Sequence, residues 1–289
     1  MLSIEIIQDC IIWACEQEVS APKPGNVNRI SDGHNMQVDD FIKSAHAIAP
    51  ALTVKNNTVG ERILNAIQAT QDIVDCNTNL GIVLLFAPLC VAIEGCNDFD
   101  DLPNKLELTL QNLTIQDAEN CYQAIRLAHA GGLGKVAKQD VASTPTVTLL
   151  QAMDAAKDRD SIAAQYLNNY NDLFQIGLPK LTDSIICGES VEWATTFAYL
   201  YFLSTIPDTL IKRKQGTEAA NIVKNKATQF ISKINKSNGL REYSAELNSW
   251  DNELKRDAIN PGTTADLTAT TLLLRAFQQA FTSNRISVQ

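Results

Sequence analysis

Apolar residues return every three or four positions along most of this chain, and that spacing decides its class. Between 4 and 18, Ile4, Ile7, Ile11, Ala14 and Cys15 fall on one helical face. The same rhythm recurs over 38–54, 60–74, 80–94, 115–130, 159–175, 190–205, 217–235, 240–256 and 264–283. Alternating β-branched runs are missing, and so is any strand–helix–strand order. The pattern predicts an all-α fold, a single multi-helix, bundle-like domain over 1–289, without repeats or low-complexity linkers. Short interruptions at 20–36, 56–59, 75–79, 97–104, 131–147, 206–216 and 258–263 carry Gly, Pro, Asn and charge. Such inter-helix loops can meet at one end of a bundle and form a site.

Length and composition narrow the function. A chain of 289 residues, 45% apolar, can bury a sizeable core. Its 24 Lys+Arg against 33 Asp+Glu give a net charge of −9, which argues against nucleic-acid binding. Anionic small molecules stay open, because a few local cations can hold them. The seven cysteines (Cys10, Cys15, Cys76, Cys90, Cys96, Cys121 and Cys187) form no CxxC pair, which argues against structural zinc and a disulfide scaffold. His34, His46 and His129 show no metal-binding spacing. The opening MLSIEIIQDC lacks the basic start of a signal peptide. The longest uncharged apolar run, Leu80 to Ile93, contains Pro88 and is too short for a bilayer. These features predict a soluble cytoplasmic protein with no membrane partner. An exposed apolar helix face could serve a homodimer, though no residue pattern identifies one.

Two glycine motifs are decoys. Gly132-Leu-Gly-Lys-Val-Ala137 has the G-x-G-x-x-A spelling but follows a helical pattern where a dinucleotide fingerprint needs a strand. Read as a phosphate-binding loop ending in Gly134-Lys135, it has His129 at the first glycine and Val136 at the Ser/Thr.

Five segments can carry chemistry, and each also has a purely structural use. In Glu18-Val-Ser-Ala-Pro-Lys-Pro-Gly-Asn-Val-Asn-Arg29, two prolines stiffen the chain around Lys23 and Gly25 permits a positive φ. The loop would present Lys23, Asn26, Asn28 and Arg29 to a polyphosphate, or merely turn the chain. Asn77-Thr78-Asn79-Leu80-Gly81 opens an apolar helix; Thr78 or Asn79 can cap it, and its free N–H groups could receive an anion. His129-Ala-Gly-Gly-Leu-Gly-Lys135 allows close backbone approach to a ligand, or simply ends a helix. Asp208-Thr-Leu-Ile-Lys-Arg-Lys-Gln-Gly216 sets three cations in a row, of which one or two could face a site, with Asp208 as an alternative N-cap. Asn260-Pro-Gly-Thr-Thr-Ala-Asp-Leu267 gives Asp266 either a capping-box spacing from Thr263 or a magnesium ion shared with phosphate.

Together the segments resemble the triphosphoribosyl-dephospho-CoA synthases. The resemblance rests on SAPKPGNVNR, GHNM with DDFIKSA, NTNLGIVLL, DTLIKRKQG and NPGTTADL, in that order from residue 18 to 267. The family is all-helical and joins ATP to dephospho-CoA with release of adenine. The resemblance implies nucleotide-binding roles for Lys23, Gly25, Asn26, Arg29, Asn77, Thr78, Asn79, Arg213, Gly216, Asn260 and Gly262. It implies Asp208 and Asp266 as metal ligands or general bases, with Mg²⁺ accompanying ATP, and Glu18, His34 and Asp40 as secondary candidates. Lys23, Arg29 and Arg213 would meet phosphates, while Asn26, Asn77 and Asn260 would orient oxygens. The central HAGGLGKVAKQDVASTPTVTLL and KDRDSIAAQYLNNYNDLF depart from the citrate-lyase type and resemble a branch found in archaea and methylotrophic bacteria. That branch implies a second acceptor class, an intermediate of tetrahydromethanopterin-type one-carbon cofactors. A nucleotide-binding protein without turnover is the remaining alternative.

Overall fold

The structure, a computed structural model, describes residues 1–29, 31–34, 36–129, 139–234 and 239–283. Among them the chain forms α1 (Ile4–Ser20), α2 (Val38–Leu52), α3 (Val59–Gln71), α4 (Leu80–Ile93), α5 (Leu102–Gln111), α6 (Ile115–Leu127) and α7 (Leu149–Asp154). It continues through α8 (Ser161–Leu167), α9 (Leu178–Ile186), α10 (Val191–Thr205), α11 (Thr209–Gln215), α12 (Thr217–Ile234), α13 (Ser244–Arg256) and α14 (Gly262–Ser283). Among the described residues β-pairing is confined to two isolated bridges, Asn28 with Ser31 and Gly33 with Met36. The all-α expectation holds.

Local chemistry sets the helix starts. Capping boxes begin α3 with Thr58 and Glu61, α6 with Thr114 and Asp117, and α7 with Thr148 and Gln151. Asp117 also accepts the Gly60 N–H at 2.8 Å, which ties α6 to the first turn of α3. A Cβ on Gly60 would lie 2.4 Å from the Asp117 Cα, so this approach requires glycine.

Two apolar clusters form the interior. The larger draws on α1 to α10 and α14, with Ile11, Leu85, Phe86, Leu273 and Phe277 fully enclosed. The smaller joins α10 to α13, around Tyr199, Leu203, Phe230 and Trp250. Helices α10 and α14 contribute to both, so they bind the halves into one body. Pro88 lies inside α4, where it removes the N–H that would bond the Leu84 carbonyl. The buried Tyr166 hydroxyl donates to that carbonyl instead, at 2.6 Å, and Tyr170 donates to the Leu85 carbonyl at 3.1 Å. A helix otherwise apolar all round thus keeps its freed acceptor satisfied.

The sequence pattern differs from the fold in two places. The helix expected over 159–175 is α8 followed by a break, with Asn169 and Tyr170 at positive φ and a π-turn at Leu173–Gly177. The break lets Tyr166 and Tyr170 both reach α4. Helices α5, α7, α9 and α11 lie wholly or largely between the expected segments. They have 6–10 residues, too few turns for a repeat to stand out.

Candidate functional site

A cavity of about 650 Å³ opens where the polar loops meet. Its walls come from the end of α1, loop 26–36, the first turns of α4, α8 and α14, one side of α6, and α11. Phe41, Leu84, Ile125, Leu149, Met153 and Ile162 make an apolar side. The polar side holds Glu18, Asp160 and Asp266, with Arg159, Lys212, Arg213 and Lys214 also on the wall.

Loop 21–34 is built around a buried cation. Lys23 is fully enclosed; its Nζ donates to the carbonyls of Glu18 at 2.6 Å and Val27 at 3.0 Å, and lies 3.0 Å from Glu18 Oε1. Two ammonium protons go to those carbonyls, and the charge faces Glu18 Oε1 in an ion pair. Burial pulls Lys23 below its ordinary pKa, against the attraction of Glu18, and pushes Glu18 up, against Lys23. Gly25 adopts the positive φ expected of it, +83°. Its N–H donates to Asp251 at 2.8 Å, and a Cβ would meet Pro261 at 2.8 Å. Tyr199 donates to the Pro24 carbonyl, Lys255 to the Ser31 carbonyl, and His34 Nε2 lies 2.8 Å from the Gly25 carbonyl.

These contacts place several expected residues away from the cavity. Lys23 is a strut beneath the loop and does not line the cavity, because its donors are taken. Arg29 is exposed and off the cavity; among the described residues its N–H is engaged, with the Val19 carbonyl. Gly25 shapes the loop from behind. Gly216 ends α11 at φ +95° with open space around it, also off the cavity. Asp40 caps α2 by accepting the Gln37 N–H.

Asp208 and Asp266 were alike in the sequence and differ in the fold. Asp208 is 1% exposed. Its Oδ1 accepts the N–H groups of Leu210 and Ile211 at 2.9 and 3.0 Å. Its Oδ2 accepts the Thr264 N–H and hydroxyl, both at 2.8 Å. Burial raises its pKa against these four bonds. It fastens α11 to α14, with both oxygens engaged in these bonds. Asp266 instead turns its carboxylate into the cavity and makes no side-chain hydrogen bond among the described residues. A Cβ on Gly81 would fall 2.1 Å from Asp266 Oδ2, so this acid lies against the bare start of α4. Its capping-box alternative is not formed; the Thr263 hydroxyl accepts from Thr209 instead. Burial first, then Glu18, Asp208 and Asp160, lift Asp266 well above the ordinary carboxylate range, and Arg213 opposes them.

The remaining expected residues do reach the wall. Asn26 Nδ2 donates to Asn260 Oδ1 at 2.9 Å, joining the first and last segments. Thr78 shares a 2.7 Å hydrogen bond with Ser44, and Asn79 bonds Thr70. The cap of α4 comes from Asn77, which accepts the Leu80 N–H at 3.1 Å, and not from Thr78 or Asn79. Gly262 also lines the cavity, with Leu210 2.6 Å from where its Cβ would stand. Glu18, His34 and His129 face it too, while Gly131 to Lys135 lie outside the described residues. Lys212, Arg213 and Lys214 all line the wall, more than the one or two expected.

Sequence reasoning missed Asp160, Arg159 and Tyr122. Asp160 is the N-cap of α8, and its other oxygen takes Arg213 Nη1 at 3.0 Å. The Asp-Ser step ahead of an apolar run was the available signal. Among the described residues no three His, Cys, Asp or Glu side chains form a metal cluster. Magnesium, however, is commonly held by one or two carboxylates plus substrate phosphates. The unpaired Asp266, with Glu18 as its nearest-acting acid, suits that arrangement.

An all-helical body with acids and cations lining a partly apolar cavity suits a small polar or charged ligand. The chain belongs to the ATP:dephospho-CoA triphosphoribosyl transferase family, whose sequence profile matches residues 4–285, and it is therefore a transferase. A crystal structure from Archaeoglobus fulgidus that carries the name triphosphoribosyl-dephospho-CoA synthase has the same fold. It matches with a TM-score of 0.62 and 23% identity over 81% of this chain and 97% of that one. No curated protein matches the chain. Among the described residues no helix is long and apolar enough to cross a membrane.

Proposed function

We propose that this transferase moves the triphosphoribosyl group of ATP to a hydroxyl of dephospho-CoA and releases adenine. The observation that carries the reading is the unpaired Asp266 carboxylate in a cavity whose wall also holds Arg213, Lys212 and Lys214. Cations suit the triphosphate, and the acids suit the positive charge that develops on a ribose as its base departs. The acceptor hydroxyl attacks C1′ of the ATP ribose and gives up its proton, the C1′–N9 bond breaks, and adenine carries away the bonding pair and takes up a proton from solvent. Asp266, raised by its surroundings, takes the hydroxyl proton more readily than a free carboxylate would. In the alternative role Asp266, with Glu18, would instead hold a magnesium ion that neutralises phosphate charge. Asn26 and Asn260, already paired to one another, orient oxygens of the nucleotide.

One observation favours a second acceptor class. His129, Gln139, Val141 and Leu149, all from the divergent centre of the sequence, line the same cavity. A wall rewritten there suits an acceptor from one-carbon cofactor synthesis, with the same donor chemistry. Purified protein given ATP and Mg²⁺, with and without dephospho-CoA, decides by chromatography of free adenine. Adenine formed only with dephospho-CoA is the expected result. ATP binding without adenine release would overturn this acceptor.

A further inference from the structure

We propose that Asp160 is a positioning residue that holds Arg213 in place for the nucleotide triphosphate, an assignment that rests on the donor chemistry above. Asp160 divides its carboxylate between two tasks. Oδ1 accepts the N–H groups of Ile162 at 2.9 Å and Ala163 at 3.4 Å, which fixes it at the start of α8. Oδ2 accepts Arg213 Nη1 at 3.0 Å. Both ends of this pair stand on a common frame. The Ser161 N–H donates to the Thr209 hydroxyl, and that hydroxyl donates to Thr263 on α14, each at 3.2 Å. Asp208 ties the start of α11 to Thr264. The Asp160–Arg213 bond thus gives α8 a second tie to α11, which is itself fastened to α14.

Arg213 is left with donors to spare. Its side chain is 23% exposed, and its Nε is buried without a partner. A buried N–H left unbonded is costly until something accepts from it. An arginine with one N–H held by a carboxylate still presents a planar fork suited to phosphate oxygens. Arg213 also acts electrostatically on Asp266, yet the two form no ion pair. Asp160 therefore keeps the guanidinium from collapsing onto the unpaired acid and leaves both groups free for substrate.

The test separates the pair from the cap. Asparagine caps helices as well as aspartate does, so D160N keeps α8 and removes only the charge. The expected result is an unchanged thermal midpoint and an ATP KM raised about tenfold, with kcat changed less. Calorimetric affinity for ATP and for inorganic tripolyphosphate should fall by the same factor, with adenosine binding unchanged. Added to R213Q, D160N should cost less than about twofold more, because it acts through that arginine. Should D160N fail to fold, D160S offers another uncharged cap. Wild-type ATP affinity in the folded variant, or a full further loss on top of R213Q, would overturn the proposal. Wild-type protein that binds ATP without releasing adenine sinks the transfer reaction and leaves Asp160 judged on binding alone. Wild-type protein that binds neither ATP nor tripolyphosphate overturns both.

Discussion

The start of α11 and the first turn of α14 each place an aspartate among buried groups, and they treat it in opposite ways. Asp208 receives four hydrogen bonds from two helices. Asp266 receives none and faces the cavity across Gly81. Both are raised by desolvation, Asp266 further, because three other acids act on it. Saturated hydrogen bonding marks an acid that holds the fold. An unpaired acid on a cavity wall is a candidate to meet a ligand. The same division separates the cations: Lys23 has spent its donors within the protein, whereas Arg213 keeps a buried Nε unused.

The sharpest way to break this contrast is to neutralise both acids. D266N should lower kcat by about 10²–10⁴-fold, the usual contribution of a general base. It should also raise the thermal midpoint at neutral pH. An acid whose folded pKa is raised stabilises the fold only in its protonated form. That contribution is present below the unfolded pKa and is lost as pH climbs toward the folded one. Calorimetric scans should therefore show wild type falling behind D266N as pH climbs above about 4. D208N should do the reverse. Its amide keeps the α11 cap but faces a donor at Thr264, so stability drops by about 1–3 kcal/mol while turnover per folded molecule holds. Equal kinetic losses in the two variants would refute the distinction.

Next in size is the buried cation. K23M leaves Glu18 without its counter-charge and leaves the carbonyls of Glu18 and Val27 without a donor. Denaturant unfolding should show a loss of about 3–5 kcal/mol, the cost of breaking a buried pair from one side. Adding E18Q should recover part of it. A variant as stable as wild type, with only ATP binding lost, would return Lys23 to the phosphates.

A smaller effect belongs to the apolar interior behind the cavity wall. Y166F removes the donor to the Leu84 carbonyl and should cost about 1–3 kcal/mol. In a P88A background α4 has its own donor for that carbonyl, so the penalty should shrink. An undiminished penalty would mean that Tyr166 acts through packing alone.

These contrasts show what a linear reading can reach. Long amphipathic helices such as α1 and α3 declare themselves, because their buried faces repeat over several turns. The 159–175 stretch misled because Asn168, Asn169 and Asn171 interrupt a spacing that still looked helical. Reading it as one helix also hid Asp160, whose role depends on being a cap. The first, second, fourth and fifth polar segments do meet at one cavity. Which side of each loop faces it was not legible, since that depends on long-range bonds such as Gly25 to Asp251 and Asp208 to Thr264. Residue type made Lys23 and Arg29 look like phosphate ligands; only the packing shows that one is used up and the other points elsewhere.

Arg29 gives the contrast its smallest and most discriminating effect. It stands in the same segment as Asn26, carries the charge a phosphate would want, and is exposed off the cavity wall. Its bond from the N–H to the Val19 carbonyl survives any side-chain change. R29A should therefore shift the ATP KM by less than about twofold and leave stability within about 0.5 kcal/mol, as exposed substitutions do. R213A, on the wall, should raise the same KM by about tenfold or more, the loss of a charged hydrogen bond. Parallel titrations of ATP with both variants supply the comparison. Similar losses would mean that loop 21–34 moves Arg29 over the nucleotide on binding, and that the wall of the free protein is not the wall of the complex.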